Sequence, residues 1–167
     1  TVYVMASQGS AGAGPGQYGL HGVYRSTSSG ASGTWTTQRQ GNVAPGTTAV
    51  KIQQLLLSNP IIALLTECGQ GTSQFFNQGW YDNVLAVDPA DPNRVWAGGI
   101  DVWRSDNGGV DWGAASYWWF DKGVDSQYNH ADQHGLVFHP NYNGTSNKIL
   151  FSTNDGGLAV TTDARAA

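Results

Sequence analysis

Apolar residues recur along this chain in short runs that alternate with polar ones, and each run is closed by Gly, Asn, Asp or Pro. That rhythm predicts strands joined by turns. Thr1-Val-Tyr-Val-Met-Ala-Ser7 and Gly22-Val-Tyr-Arg-Ser-Thr27 are the first two runs. Val84-Leu-Ala-Val-Asp-Pro89, Arg94-Val-Trp-Ala-Gly98 and Val102-Trp-Arg104 form a middle group. His134-Gly-Leu-Val-Phe-His-Pro140, Lys148-Ile-Leu-Phe-Ser-Thr153 and Gly157-Leu-Ala-Val-Thr-Thr-Asp163 form a last one. Pro89 and Pro140 end their runs because proline donates no ladder hydrogen bond. Thr47 to Leu57 fits either a short helix capped by Thr47 or a buried strand, and Ile61 to Glu67 reads as a buried strand. The reading favoured there is two strands of a further unit.

The groups repeat one plan, which matters because repeats decide architecture. Each consists of a strand, a Gly-containing turn and a second strand, and the middle and last groups have one more strand upstream. In the middle copy, Trp103 and Ser105 share one face of the strand and Val102 and Arg104 the other. Asn107-Gly108-Gly109 supplies residues that tolerate positive φ, and Trp112 is an apolar anchor beyond the turn. The first copy has Ser26, a Ser/Gly-rich turn and Trp35, with Ser28 where the middle copy has Asn107. The last has Asp163 in that place. Four antiparallel strands per unit predict an all-β chain of β-propeller blades. The expected organisation over 1–167 is a partial blade at 1–45, uncertain strands at 46–78, a blade at 79–116 and a partial blade at 130–167. That makes about three to four blades, an incomplete propeller.

Ser105, Asn107, Gly109 and Trp112 fulfil the pattern Ser-x-Asx-x-Gly-x-x-Trp, which resembles the Asp-box, or BNR repeat, of sialidase-like β-propellers. The run from Gly79 to Gly99, His130-Ala-Asp-Gln-His134 and Asn154-Asp-Gly-Gly157 are similar to secreted bacterial BNR-repeat proteins, related in fold to sortilin-type and xyloglucanase-type propellers. The resemblance spans roughly residues 79–163, and 1–35 in outline. It implies that Ser105, Asn107, Gly109 and Trp112, with Ser26 and Trp35, pin blade corners on the outer rim, and that ligands meet the protein elsewhere. It also implies an extracellular protein.

Composition narrows the partners. The 167 residues carry 23 Gly, 7 Trp, 7 Tyr and 5 Phe, with a formal net charge of −4 and no clustering of Lys or Arg. Such a chain is not built for nucleic acid or an anionic membrane surface. No stretch reaches the roughly 20 apolar residues of a membrane-spanning helix. Cys68 is the single cysteine, so no intrachain disulfide forms, and its apolar neighbours suggest a buried thiol. The chain opens on a strand with no signal peptide in view, as processing or excision from a longer polypeptide would leave it.

Candidate chemistry concentrates at three places. In an extended segment, His130, Asp132 and His134 would line one face and could meet a ligand or orient one another. Two imidazoles and a carboxylate could also ligate a metal, but no further ligand is evident and no metal or other cofactor is assigned. Trp80 and Tyr81 offer faces for a sugar ring, with Asp82 beside them. Asp155 lies in Asn154-Asp-Gly-Gly157, a hairpin-turn sequence that also brings a carboxylate. Tyr117-Trp-Trp-Phe120 is a further aromatic cluster; on a strand its side chains would alternate between faces. Five arginines are scattered, which does not suit the arginine cluster of a sialidase. No carboxyl pair for glycoside hydrolysis can be chosen from the sequence.

The expected function is therefore an extracellular binding or scaffold module for glycan or protein, through Trp80, Tyr81, Asp82, His130, Asp132, His134 and Asp155. One alternative is a glycoside hydrolase-like propeller fragment of xyloglucanase type. The other is a structural subunit whose open blade edges pair with remaining blades or with neighbouring copies. An enzyme is the less favoured reading.

Overall fold

A computed structural model describes residues 1–9, 18–41, 52–58 and 77–166. The strands are β1 (Val2–Ser7), β2 (Leu20–Ser26), β3 (Trp35–Gln40), β4 (Val84–Val87), β5 (Val95–Gly98), β6 (Val102–Ser105), β7 (Gly113–Ala114), β8 (Gln133–Phe138), β9 (Leu150–Asn154) and β10 (Gly157–Thr161). They form three antiparallel meanders: β1-β2-β3, the four-stranded β4-β5-β6-β7, and β8-β9-β10. The protein is all-β.

Sequential pairing follows from short turns between strands, which suit antiparallel neighbours. In the middle sheet Ala97 faces Trp103 and Trp96 faces Arg104 across the β5–β6 ladder. Side-chain alternation then sends Val95, Ala97 and Trp103 to one side and Trp96 and Val102 to the other. Both sides are covered. Tyr3, Leu20 and Val23 of the first sheet pack with Val95, Ala97, Trp103 and Trp112. Trp96 and Val102 pack with Leu136 and Leu150 of the third sheet, together with Tyr142 and Ala164. The three sheets thus stack with the middle one buried between two hydrophobic layers, which explains why every residue of β5 is buried.

Two turns share one hydrogen-bond plan. Ser105 Oγ accepts the N–H of Gly109 at 2.9 Å, and Trp112 Nε1 donates to the Gly109 carbonyl at 2.8 Å. Ser26 Oγ accepts the N–H of Gly30 at 3.1 Å, and Trp35 Nε1 donates to the Gly30 carbonyl at 3.2 Å. Gly30 and Gly109 both sit at positive φ, 80° and 87°, where a Cβ would be strained. Asn107 Oδ1 accepts the Asp111 N–H in the middle copy, a bond the first copy's shorter Ser28 side chain is not seen to make. After the last strand, Thr161 Oγ1 accepts the N–H of Asp163.

Two expectations are corrected. Residues 52–58 are turns, closed by Leu55 N–H to Ile52 and Ser58 N–H to Leu55 carbonyls, where a strand was favoured. Their role is to plug the core: Leu56 and Leu57 are fully buried against the first two sheets. Tyr117–Phe120 is a loop that stacks on itself, with Tyr117 and Phe120 ring centroids 4.7 Å apart, so alternation on a strand does not apply. The strand expected at Ile61–Glu67, and Cys68, lie outside the described residues.

Candidate functional site

The two Ser/Trp turns and the site candidates occupy opposite ends of the strands. β4 and β8 begin, and the β5–β6 and β9–β10 turns fall, at one end of their sheets; the turn after β6 lies at the other. Residues 78–82 lead into β4, 129–132 lead into β8, and Asp155 sits in the β9–β10 turn. Because β4 and β8 are neighbours, the stacking of two sheets delivers all seven candidates to one end.

Local geometry explains each placement. The N–H groups of Tyr81 and Asp82 both donate to the Gln78 carbonyl, at 2.7 and 2.8 Å, which curls the chain and turns Trp80 and Tyr81 outward. Trp80 is 65% exposed and Tyr81 44%. Their ring centroids are 5.5 Å apart, and Tyr18 flanks Trp80 at 6.2 Å. The Tyr81 ring meets His134 edge-on at 4.8 Å. The Tyr81 hydroxyl donates to Asp155 Oδ1 at 3.1 Å, and His134 Nε2 lies 2.6 Å from the same oxygen. The bond to His134 holds the Asp155 carboxyl below its ordinary range. The bond to Asp155, in turn, raises the Tyr81 phenol.

Beneath this exposed chain lies Asp82, fully buried, with no donor on either carboxyl oxygen. The group it faces is the Asp132 carboxyl, itself an acceptor unless one of the two carries a proton. Burial first, and then Asp132, push Asp82 up to about 7. Gln78 Nε2 donates to Asp132 Oδ1 at 2.9 Å. A third acid, Asp101 in the β5–β6 turn, is 1% exposed and accepts only the Trp118 N–H, at 3.1 Å. Burial raises Asp101 to about 7 as well.

The expectation that His130, Asp132 and His134 line one strand face does not hold. Asp132 has φ 66°, and the register shifts between Gln133 and Gly135, so alternation breaks inside the segment. His130 lies instead against the β9–β10 turn, where a Cβ on Gly156 would come within 2.5 Å of its ring. Among the described residues no group of three His, Cys, Asp or Glu is arranged to hold a metal.

What sets this segment is Gln133, which is fully buried. Its Nε2 donates to the His130 carbonyl at 2.6 Å and its Oε1 accepts Ser152 Oγ at 2.6 Å and Asn129 Nδ2 at 3.0 Å. Asn154 Nδ2 then donates to Asn129 Oδ1 at 2.9 Å. The network is satisfied throughout, as buried polar groups must be. Gln78, Asp101, Asn129 and Gln133 had no motif in the sequence; a polar residue opening an apolar strand was the only signal for Gln133.

A cleft of about 980 Å³ lies elsewhere, lined by Trp96, Val102, Trp112, Leu136, Leu150 and Thr161 among others. It flanks the two-residue β7 and the edge strand β10, and its wall is continuous with the second hydrophobic layer. It is space left beside short sheet edges, whereas Asp82, raised toward neutrality, and the exposed aromatic pair converge at Tyr81.

Asp101 supplies a test of these electrostatics. Its folded form keeps a proton from an ordinary 3.8 up to about 7, where the unfolded chain has released it. Stability therefore falls as pH rises through that window. Asp101→Asn preserves the Oδ1 acceptor for Trp118 and removes the titration. Urea unfolding at about pH 5 and about pH 8 is expected to show the fall shrinking by about 2–4 kcal/mol in the variant. An unchanged slope would remove the assignment.

Comparison of the chain with protein-family models, with curated proteins and with solved structures gave no match. The class defined by the coordinates is an all-β protein of stacked antiparallel meanders, with an acidic, aromatic site at one end of the strands.

Proposed function

We propose that this chain is an extracellular glycan-binding module built on propeller blades of the Asp-box type. The stacked meanders and the twice-used Ser–Gly–Trp turn support the blade reading. The observation that carries the binding reading is the exposed Trp80–Tyr81 pair, joined through the Tyr81 hydroxyl to Asp155 and His134. Flat aromatic faces take the apolar side of a pyranose, and adjoining polar groups take its hydroxyls.

Hydrolysis of glycosides is less well supported. That chemistry needs two carboxyls about 5–9.5 Å apart across the scissile bond. Asp82, which faces Asp132, is fully buried and presents no carboxyl to a sugar bond. Pairing between copies has one observation in its favour, the exposed Val137, Leu158 and Val160 on the third sheet. Sedimentation as a monomer removes that second reading.

Oligosaccharide titration followed by calorimetry tests the binding reading. Trp80→Ala is expected to weaken binding at least about tenfold, as loss of a central aromatic anchor does. Because Trp80 is mostly exposed, its circular dichroism and melting should stay close to those of the unaltered chain. Unchanged affinity in a folded variant would refute the platform.

A further inference from the structure

Among the described residues, no arginine or lysine pairs with the carboxyls of the Trp80–Tyr81 site, where His134 alone meets Asp155 as a base. Asp155, Asp82 and Asp132 all act on the Tyr81 phenol, so three carboxyls converge at the rim of the aromatic pair. Every arginine of the chain is engaged elsewhere. Arg25 bonds Asn93, Arg39 pairs with Asp111, Arg94 and Arg104 with Asp106, and Arg165 with Asp88. Lys148 pairs with Asp163. The partners seen on the site's own acids are Tyr81, His134 and Gln78.

A second feature points to a ligand independently of this acidity. The Asp82 side chain is 0% exposed and neither of its oxygens meets a donor. A buried carboxyl left unpaired costs free energy. This one is directed at Asp132, behind the surface formed by Tyr81, His134 and Asp155. A cationic group arriving at that surface would supply the field that the protein leaves out.

Resting on the glycan-binding reading above, we propose that the site selects an amino sugar whose nitrogen is a free ammonium, seated on Trp80 and Tyr81 with the ammonium toward Asp155 and Asp132. The pyranose face fits the two-ring platform, which a linear lysine stem does not require. An ammonium beside aromatic faces gains cation–π attraction, and one beside carboxylates gains charge-assisted hydrogen bonds. An N-acetylated sugar would lose both, and an acidic sugar would be repelled.

The acids also predict a proton count. Asp82 is faced by Asp132, His134 and Asp155; His130 lies toward Asp155, and Asp101 toward Asp132. With the Asp82 proton retained to about pH 7, a bound ammonium displaces it. Binding near neutrality therefore releases protons, and the apparent enthalpy should vary with the ionisation enthalpy of the buffer.

The full chain would be titrated with a glucosamine oligomer, the N-acetylglucosamine oligomer of equal length, a neutral β-1,4-glucose oligomer and a lysine-rich peptide. The glucosamine oligomer is expected to bind at least about tenfold more tightly than the other sugars. Asp155→Asn should abolish that preference, so that within this variant the glucosamine and neutral oligomers bind alike. Trp80→Ala should weaken all the sugars alike. Equal affinity for all three sugars, or tighter binding of the N-acetylated one, overturns the ammonium proposal and leaves glycan binding standing. A peptide binding as tightly as the glucosamine oligomer overturns it in favour of a protein partner. Binding of none of the sugars removes the glycan reading itself. The ligand series on the unaltered chain decides the matter even where a variant fails to fold.

Discussion

Replacing Asp88 with alanine is expected to cost about 3–5 kcal/mol of folding stability, the range for breaking a buried ion pair from one side. Asp88 closes β4, its side chain is fully buried, and its Oδ2 holds two elements of the third sheet's surroundings. Tyr142 donates its hydroxyl at 2.7 Å and Arg165 its Nε at 3.0 Å. Oδ1 accepts the Ala90 N–H at 2.7 Å and shapes the turn to β5. Arg94 lies 3.6 Å away and has a second partner in Asp106 at 2.6 Å, so it survives the change. Tyr142 and Arg165 keep each other, through Arg165 Nε to the Tyr142 hydroxyl at 3.1 Å, but both lose the buried carboxylate that holds them to β4. Asp88→Asn keeps the turn and one acceptor, and should cost about half as much. Urea unfolding with an unchanged m-value measures the difference. A loss below about 1 kcal/mol for Asp88→Ala would show that the contact is not a clamp between the sheets.

Trp103→Ala is expected to cost a comparable amount, about 3–5 kcal/mol. Trp103 is 0% exposed and lies in the layer between the first two sheets, among Tyr3, Val23, Ala97, Leu57 and Trp112. Backbones on both sides are fixed by their ladders, so the cavity cannot collapse. The indole carries its own penalty, however: Nε1 is buried without a partner. Trp103→Phe removes that donor along with part of the ring. The lost volume and the relieved desolvation oppose each other, and the net cost should stay within about 1.5 kcal/mol. A Trp103→Phe loss well above about 1.5 kcal/mol would mean that the lost volume decides, and that the unpaired indole carries no penalty.

Much of the strand pattern was written locally. Short β-prone runs closed by turn residues, repeated on one plan, located β1, β2, β4, β5, β6, β8, β9 and β10 to within a few residues. They did so because each strand has one or two faces pressed against a neighbouring sheet. The same rule misled at 52–57, where a run of leucines looked like a strand. Leu56 and Leu57 are buried by entering the core from turns, and burial without a ladder leaves no periodic trace. It misled again at His130–His134, because one positive φ at Asp132 cancels the alternation on which the shared face depended.

The sequence by itself determined the all-β class, the turn residues that close the meanders, and the residue types gathered at the site: Trp80, Tyr81, Asp82, His130, Asp132, His134 and Asp155. Those features depend on neighbours a few positions apart. Only the tertiary structure decided that the buried Asp82 faces the half-buried Asp132, that burial raises Asp101 to about 7, and that Gln133 holds the segment in place. Each of these needs two sheets to stack, since burial and the field of one carboxylate on another depend on distance through space, which spacing along the chain does not encode.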